Sequence, residues 1–311
     1  MRWRVLVSAP YMLPVLDEYR DLLKENDIEA VVAPVEERLE EDELLPLVAN
    51  IDGVICGDDR FTERVLRSAP KLKVISKWGT GIDSIDQEVA TRIGIRVCNT
   101  PGAFTDPVAD TVMGYVLMFA RQLSWLDREM RSGSWQKRPG ISLRECVIGV
   151  VGVGEVGKAV IQRAAAFGMG LLGTDIVEVA PSFVESTGME VISLDTLLAR
   201  ADFVSMNCTL NPTSHHLIGQ RELSLMKSTA YLINTCRGPV VDEPALAEAL
   251  QEGRIAGAGL DVFEEEPLPA DSPLRQLENC LLAPHNANSS PIAWRRVHEN
   301  TIRNLVEGLR S

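Results

Sequence analysis

The segment from Val147 to Asp175, VIGVVGVGEVGKAVIQRAAAFGMGLLGTD, limits what this chain can fold into more than any other stretch. A β-rich apolar run leads into Gly152-x-Gly154-x-x-Gly157. An amphipathic segment follows as far as Gly168, and a second apolar run stops at Asp175. The order predicts strand, glycine turn, helix and strand. The first glycine permits a tight turn, the second lets backbone approach a pyrophosphate, and the third, lacking a Cβ, lets helix and strand pack closely. The helix start offers N–H groups and a positive dipole end to phosphates, with Glu155 and Val156 in its first turn. Asp175, ending the second strand, suits hydrogen bonds from adenosine ribose hydroxyls and repels a 2′-phosphate. A glycine triplet alone is often only a turn, but with its flanking strand, helix and acid it reads as a dinucleotide site that favours NAD.

A chain of 311 residues can bury a sizeable core, and single cores rarely grow that large, so two domains are expected. With 45% apolar and 24% charged residues it has the composition of a globular protein. The 44 acidic and 31 basic residues leave a net charge of −13, which argues against a nucleic-acid or anionic-membrane partner. An anionic substrate must then be held by local positive groups. Cys56, Cys98, Cys146, Cys208, Cys236 and Cys280 are scattered, mostly in apolar runs, without Cys-x-x-Cys pairs or histidines at ligand spacing. They read as core thiols in a reducing compartment, with no metal site; Cys236, beside Arg237, reads as a small space-filler unless it is reachable. The N-terminus is too early broken by Pro10 to be a signal peptide, and the apolar run Val112 to Ala120 is too short to span a bilayer, so a cytoplasmic location is expected.

Short β-rich runs alternate with helical patterns through the first hundred residues: Arg4 to Val7, Leu13 to Lys24, Ala30 to Ala33, Glu37 to Val48, Gly53 to Cys56, Lys73 to Ser76, Ile85 to Ile93 and Ile95 to Cys98. This predicts a small parallel α/β domain. Asn99 to Gly102 reads as a linker, and Asp106-Pro107 as an N-cap with proline at the first helical position, opening a long apolar helix to about Arg121. Asp127 to Leu143 reads as an exposed arm. Beyond Asp175, strand-like runs at Glu190 to Ser193, Phe203 to Cys208, Ala230 to Thr235, Ala256 to Val262 and Leu281 to Ala283 predict a second, larger doubly wound domain.

Arg237, Glu266 and His285 each follow such a run, and strand ends form the ligand-facing edge of an open parallel sheet. Hydride transfer at a 2-hydroxy acid needs a proton acceptor, a cation for the carboxylate and a partner that orients the base, which these residue types supply. Each also has a plainer reading. Arg237 suits a surface pair with Asp242, itself the expected N-cap of a helix over Ala245 to Leu250; Glu266 suits a solvated acidic run; His285 suits a polar loop.

Taken in order, the motifs resemble the NAD-dependent D-isomer-specific 2-hydroxyacid dehydrogenases. They are Gly79-Thr-Gly81-Ile-Asp83, Asn99-Thr-Pro-Gly102, the glycine turn with Asp175, Met226-Lys, Ile233-Asn-Thr-Cys-Arg237-Gly-Pro-Val-Val-Asp242, Gly259 to Pro267, and Pro284-His285, spread over about residues 74 to 286. The resemblance implies that Arg237 binds the substrate carboxylate, that His285 is the acid/base and that Glu266 holds its imidazole. It implies a second carboxylate anchor in the backbone of Trp78, Gly79, Thr80 and Gly81; Lys77 beside it suits an extra cation, though a solvated lysine is the plainer reading. Cys208, Thr209, Thr235 and Asp261 are expected to line the cofactor with the glycine loop. The implied architecture is a Rossmann domain over 101–284 inserted into a flavodoxin-like substrate domain over 1–100 that is completed by 285–311. A homodimer built on the helix after Asp106 and the following arm is also implied. Two departures from the family pattern are Asn286-Ala-Asn-Ser-Ser-Pro291 after the histidine, which bears on substrate size and polarity, and Asp110 where a glutamate is common.

The expected reaction moves a hydride between NAD and C2 of a D-2-hydroxy acid of the glyoxylate, hydroxypyruvate or 3-phosphoglycerate class. Oxidation of formate or phosphite, and an NAD(H)-sensing corepressor or scaffold, are the alternatives. The placement of Asp175, with no arginine over Ile176 to Ala180, predicts a strong preference for NADH over NADPH. Asp175→Ala should relax that preference, chiefly by weakening NADH; equal kcat/KM with both cofactors in the unmutated protein would refute it.

Overall fold

In the computed structural model, which describes residues 2–311, the chain divides into two compact units. One runs up to Phe104 and includes Ser289–Ser311; the other is Thr105–Asn288. Both are parallel α/β units. No helix among the described residues is long and apolar enough to cross a membrane.

The first unit holds β1 (Trp3–Val7), α1 (Arg20–Glu25), β2 (Ile28–Val32), α2 (Glu41–Val48), β3 (Gly53–Cys56), α3 (Glu63–Arg67), β4 (Val74–Lys77), α4 (Gln87–Arg92) and β5 (Arg96–Cys98). Its strands pair in the order β2-β1-β3-β4-β5, all parallel. β3 and β4 are buried along their whole length, as expected of apolar runs covered by helices on both faces. The order reverses between β1 and β3, which places a ligand-binding crevice at the carboxyl ends of these strands. The C-terminal helix of the chain (Pro291–Arg310) closes this unit: Val297 and Leu305 are fully buried, and a Cβ on Gly308 would lie 2.5 Å from Val74.

The second unit holds α5 (Thr105–Arg121), α6 (Leu123–Arg131), β6 (Val147–Val151), α7 (Glu155–Ala166), β7 (Gly170–Thr174), α8 (Pro181–Thr187), β8 (Glu190–Val191), α9 (Leu194–Arg200), β9 (Phe203–Met206), α10 (Gln220–Leu225), β10 (Tyr231–Asn234), α11 (Glu243–Gln251), β11 (Gly257–Leu260) and β12 (Cys280–Leu282). The C-terminal helix is therefore α12. Here the order is β12-β11-β10-β9-β6-β7-β8, again all parallel, with the reversal between β6 and β9 beside the glycine turn. The doubly wound fold expected from the alternating pattern is present in both units.

Several boundaries differ from expectation for physical reasons. α5 begins at Thr105, so Asp106 is inside the helix, where it pairs with Arg163 at 2.9 Å rather than capping the helix. Pro107 remains within the first turn, whose N–H groups have no intrahelical partner. β8 stops at Val191 because Ser193 caps α9, its hydroxyl accepting from the Thr196 N–H. The stretch Leu13 to Lys24 divides into a 3₁₀ segment, Leu13–Tyr19, and α1. The expected arm is partly ordered, since α6 takes its first residues; 132–140 are mostly exposed. All six cysteines are free; Cys56, Cys146 and Cys280 are buried and the others half-buried.

Candidate active site

The glycine turn follows β6. Gly152 adopts φ +89°, and a Cβ there would lie 2.7 Å from the Cys208 amide nitrogen; on Gly157 it would lie 2.0 Å from the Gly152 carbonyl oxygen. Both positions thus exclude a side chain. Gly154 is different: nothing lies within 4 Å of its Cβ position, and as N-cap of α7 it supplies no side chain to the helix's first N–H groups. Backbone donors at Glu155 and Val156 are available to a phosphate on an open face. At the end of β7 the Asp175 carboxylate accepts from the Val153 N–H at 2.6 Å and the Val177 N–H at 2.9 Å, which fixes its orientation beside the turn. Thr235 Oγ1 and Asn207 Oδ1, at the ends of β10 and β9, are buried and have no partner among the described residues. Uncapped N–H groups, an aligned carboxylate and two orphaned polar atoms along one sheet edge fit a dinucleotide. Cys208 and Thr209 follow β9 on the same edge.

Cys236 is less reachable than its place beside Arg237 allows. Its thiol donates to Asn234 Oδ1 at 3.1 Å, and the neighbouring Cys208 thiol together with burial pushes it well above the ordinary thiol range. It fills space as a neutral group.

Arg237, Glu266 and His285 all come from loops after β10, β11 and β12. Asn234 anchors the first loop, donating to the Arg237 carbonyl at 2.9 Å and accepting from the Cys236 N–H at 3.1 Å. A Cβ on Gly238 would lie 1.9 Å from the Phe263 backbone, so only glycine lets the Arg237 loop lie against the loop that leads to Glu266. One Glu266 oxygen accepts from the Phe263 N–H at 3.0 Å, and the other is 2.9 Å from His285 Nδ1. Their side chains are 18% and 22% exposed, enough enclosure to orient the pair and enough opening to admit a reactant. A carboxylate only accepts, so Nδ1 carries the hydrogen.

His285 sits at φ +47°, and Asp261 holds this turn. The His285 N–H donates to the Asp261 carbonyl at 2.7 Å, and the Asp261 carboxylate accepts from the Asn286 and Ala287 N–H groups at 2.8 and 2.9 Å. Asp261 is buried. Burial pushes its carboxyl above the usual range, while those two donors act the other way.

Trp78 to Gly81 lie in the first unit, at the carboxyl end of β4. The carbonyls of Gly79 and Thr80 accept from Thr100 and Asn99. The N–H groups of Gly79, Thr80 and Gly81 have no acceptor among the described residues. Three successive donors without an acceptor at a strand end are a feature that suits an anion. Lys77 is not solvated: its side chain is 4% exposed, with Nζ 3.1 Å from Asp58 and 3.3 Å from the Trp78 carbonyl. A strand residue flanked by other strands is covered whatever its charge, and Asp58 after β3 supplies its counter-ion. The sequence reading also passed over Tyr11 and Trp294, whose rings lie 5.0 Å apart, and Tyr11 lies 5.1 Å from Trp78. No local motif marks them, because they meet only in the folded unit.

A dinucleotide-ready loop and a carboxylate-oriented imidazole define an oxidoreductase site. Comparison with known proteins agrees. Residues 113–287 match the family model described as D-isomer specific 2-hydroxyacid dehydrogenase, NAD binding domain. The chain is 42% identical over 276 residues to a glyoxylate reductase of Thermofilum pendens, covering 86% of this chain and 81% of that protein. It is 40% identical over 256 residues to a D-3-phosphoglycerate dehydrogenase of Methanocaldococcus jannaschii, covering 81% of this chain and 48% of that protein. Among solved structures it is similar to a D-lactate dehydrogenase of Aquifex aeolicus complexed with NAD and lactic acid, with a TM-score of 0.87 and 28% identity over 96% of this chain and 93% of that one. The chain belongs to the D-isomer-specific 2-hydroxyacid dehydrogenase family. It is an NAD-dependent enzyme that transfers a hydride between the cofactor and a 2-hydroxy or 2-oxo acid.

Asp261→Asn leaves one of the two N–H groups of the His285 turn without an acceptor. A stability loss of about 1–3 kcal/mol is expected by chemical denaturation, with turnover reduced. Unchanged stability and turnover would show that the turn holds without the second bond.

Proposed function

We propose that His285 is the acid/base, Glu266 the residue that orients it, and Arg237 the cation that holds the substrate carboxylate and polarises its carbonyl, for substrates of the glyoxylate, hydroxypyruvate or 3-phosphoglycerate class. The observation that carries this reading is the 2.9 Å contact between His285 Nδ1 and Glu266, which pairs the imidazole with a carboxylate and fixes its orientation at the sheet edge. NAD(H), when bound, supplies or accepts the hydride. In reduction, protonated His285 gives its Nε2 proton to the carbonyl oxygen as C2 becomes tetrahedral; in oxidation, neutral Nε2 takes the hydroxyl proton. Arg237 offers a planar fork matched to a carboxylate, which a lysine would not. The free N–H groups of Gly79, Thr80 and Gly81 support a second anchor for the same carboxylate. These roles make the unit ending at Phe104 the substrate domain and Thr105–Asn288 the NAD domain. Six free thiols support a reducing, cytoplasmic setting.

The relatives named glyoxylate reductase support glyoxylate itself as a substrate. NADH consumption with a panel of 2-oxo acids tests the reading; NADH binding without turnover of any would overturn it. His285→Ala should lower kcat by roughly 10²–10⁴-fold in both directions. Glu266→Gln removes the negative charge that favours the imidazolium, so the basic limb of the reduction profile should move to lower pH, and oxidation should begin at lower pH with a weaker base. A reduction profile unmoved by this change, where chemistry limits the rate, would return Glu266 to a structural role.

A homodimer through α5 and the arm that follows it, α6 included, belongs to the same proposal. Leu123, Met130, Trp135 and Ile141 are 52, 50, 84 and 46% exposed, an unusual concentration of large apolar side chains. Sedimentation should give twice the chain mass, and Trp135→Glu with Met130→Glu should shift it towards monomer; a monomer at micromolar concentration without any mutation would exclude the dimer.

A further inference from the structure

The loops that present Arg237 and Glu266 are joined beyond their contact at Gly238. The Glu243 N–H donates to Glu264 Oε1 at 3.1 Å, and the Glu264 N–H donates to Glu243 Oε2 at 3.1 Å. This reciprocal pair ties the start of α11 to the residue two before Glu266. The segment 211–218, between β9 and α10, lies against the first of the two loops. Its His216 N–H donates to the Pro239 carbonyl at 2.8 Å, its Ile218 N–H donates to the Val240 carbonyl at 3.2 Å, and its Ile218 carbonyl accepts from the Asp242 N–H at 2.9 Å. The His216 ring then reaches the second loop. Its Nε2 is 2.8 Å from Glu264 Oε1, the same oxygen that accepts from the Glu243 N–H. Its Nδ1 is 4.0 Å from Asp242 Oδ2, while Asp242 Oδ1 caps α11 by accepting from the Ala245 N–H at 3.0 Å.

Stability alone does not account for this arrangement. The His216 and Glu264 side chains are 38% and 32% exposed, and a pair so open to water adds little to folding. Yet His216 is held at φ +49°, in the left-handed region that a residue with a Cβ adopts at a cost. Backbone of that kind collects where function needs one particular geometry. The acids around the ring also need restraint. Partial burial, with the charges of Glu264, Glu265 and Glu266, pushes the Glu243 carboxyl above the usual carboxylate range, while the Glu264 N–H acts the other way. Three successive carboxylates therefore press on the start of α11, and a ring N–H on Glu264 offsets part of that repulsion.

We propose that His216 is a positioning residue for the reaction. Joined to Pro239 through its backbone and to Glu264 through its ring, it sets the spacing between the loop of Arg237 and the loop of Glu266, and through Glu266 the orientation of the His285 imidazole. The inference rests on the reading of Arg237, Glu266 and His285 as the reacting set, and adds a residue that acts through Glu264 rather than on a reactant.

His216→Ala removes the ring bond and keeps the N–H that reaches Pro239. The full-length protein is assayed at saturating NADH with the 2-oxo acid it reduces best. The kcat should fall about tenfold, since a displacement of about 1 Å at a reacting group costs up to roughly 10²-fold. The basic limb of the reduction profile should move to lower pH, by less than Glu266→Gln moves it, because the imidazolium keeps its carboxylate in a poorer alignment. In protein already carrying Glu266→Gln, the further change His216→Ala should leave the limb where it is. His216→Gln, whose amide N–H can donate in place of Nε2, should restore most of the kcat. His216→Gly relaxes the left-handed backbone while lacking the ring, so its melting temperature should be kept or raised with kcat as low as in His216→Ala. A His216→Ala protein with unchanged kcat and an unmoved limb overturns the inference. So does a fall in kcat that only tracks the melting temperature, or a limb shift of equal size with and without Glu266→Gln. If Glu266→Gln alone leaves the limb unmoved, the reading of the site fails, and this inference with it.

Discussion

The hydrogen bonds from Asn286 and Ala287 to the buried Asp261 carboxylate are the constraint on which the active site depends. β12 must stop abruptly for a side chain to project from the sheet edge, and His285 does this with a left-handed backbone that a histidine adopts at a cost of about 1–3 kcal/mol. Two charge-assisted bonds to one carboxylate offset that cost and also supply acceptors for N–H groups that the end of the strand would otherwise orphan. Asp261 is itself the first residue after β11, so one strand end builds the next. The contact of Gly238 with the Phe263 backbone extends the same logic to Arg237. The three polar residues are positioned by neighbouring loops that satisfy each other's backbone groups.

What the sequence made legible was whatever a local rule dictates. Gly152, Gly154 and Gly157 are readable because a turn, an open backbone and a close approach each exclude a side chain within a dozen residues. Arg237, Glu266 and His285 are readable because strand ends can be counted from apolar runs. Lys77 was misread because its burial depends on β3 and β5 flanking β4 and on a counter-ion nineteen positions earlier, which no window on the chain contains. Tyr11 and Trp294 were missed for the same reason: they are separated by most of the chain and acquire a common surface only when α12 docks on the first sheet. The end of β8 was overrun because Ser193 suits both a strand and a helix cap, and the cap is stronger.

The two units contribute different physical resources. The second offers charged and titratable side chains: an arginine, an imidazole and the carboxylate that orients it. The first offers fixed dipoles and rings. Its N–H groups at Gly79, Thr80 and Gly81, which have no acceptor among the described residues, suit an anion without introducing a mobile charge. The ring cluster around Trp78 holds the indole beside that backbone, through neighbouring rings and through its N–H.

This division also answers how a protein with a net charge of −13 can use an anionic substrate. At physiological salt the field of distant surface charges is damped over about 8 Å, so the overall charge penalises approach only weakly. What decides binding is the set of groups inside that distance. Backbone N–H donors are suited to the task here, since unlike a further lysine they cannot be neutralised by the carboxylates of the same edge. Lys77 shows the alternative outcome: placed beside Asp58, its charge is absorbed into an ion pair and stabilises the sheet edge rather than a ligand.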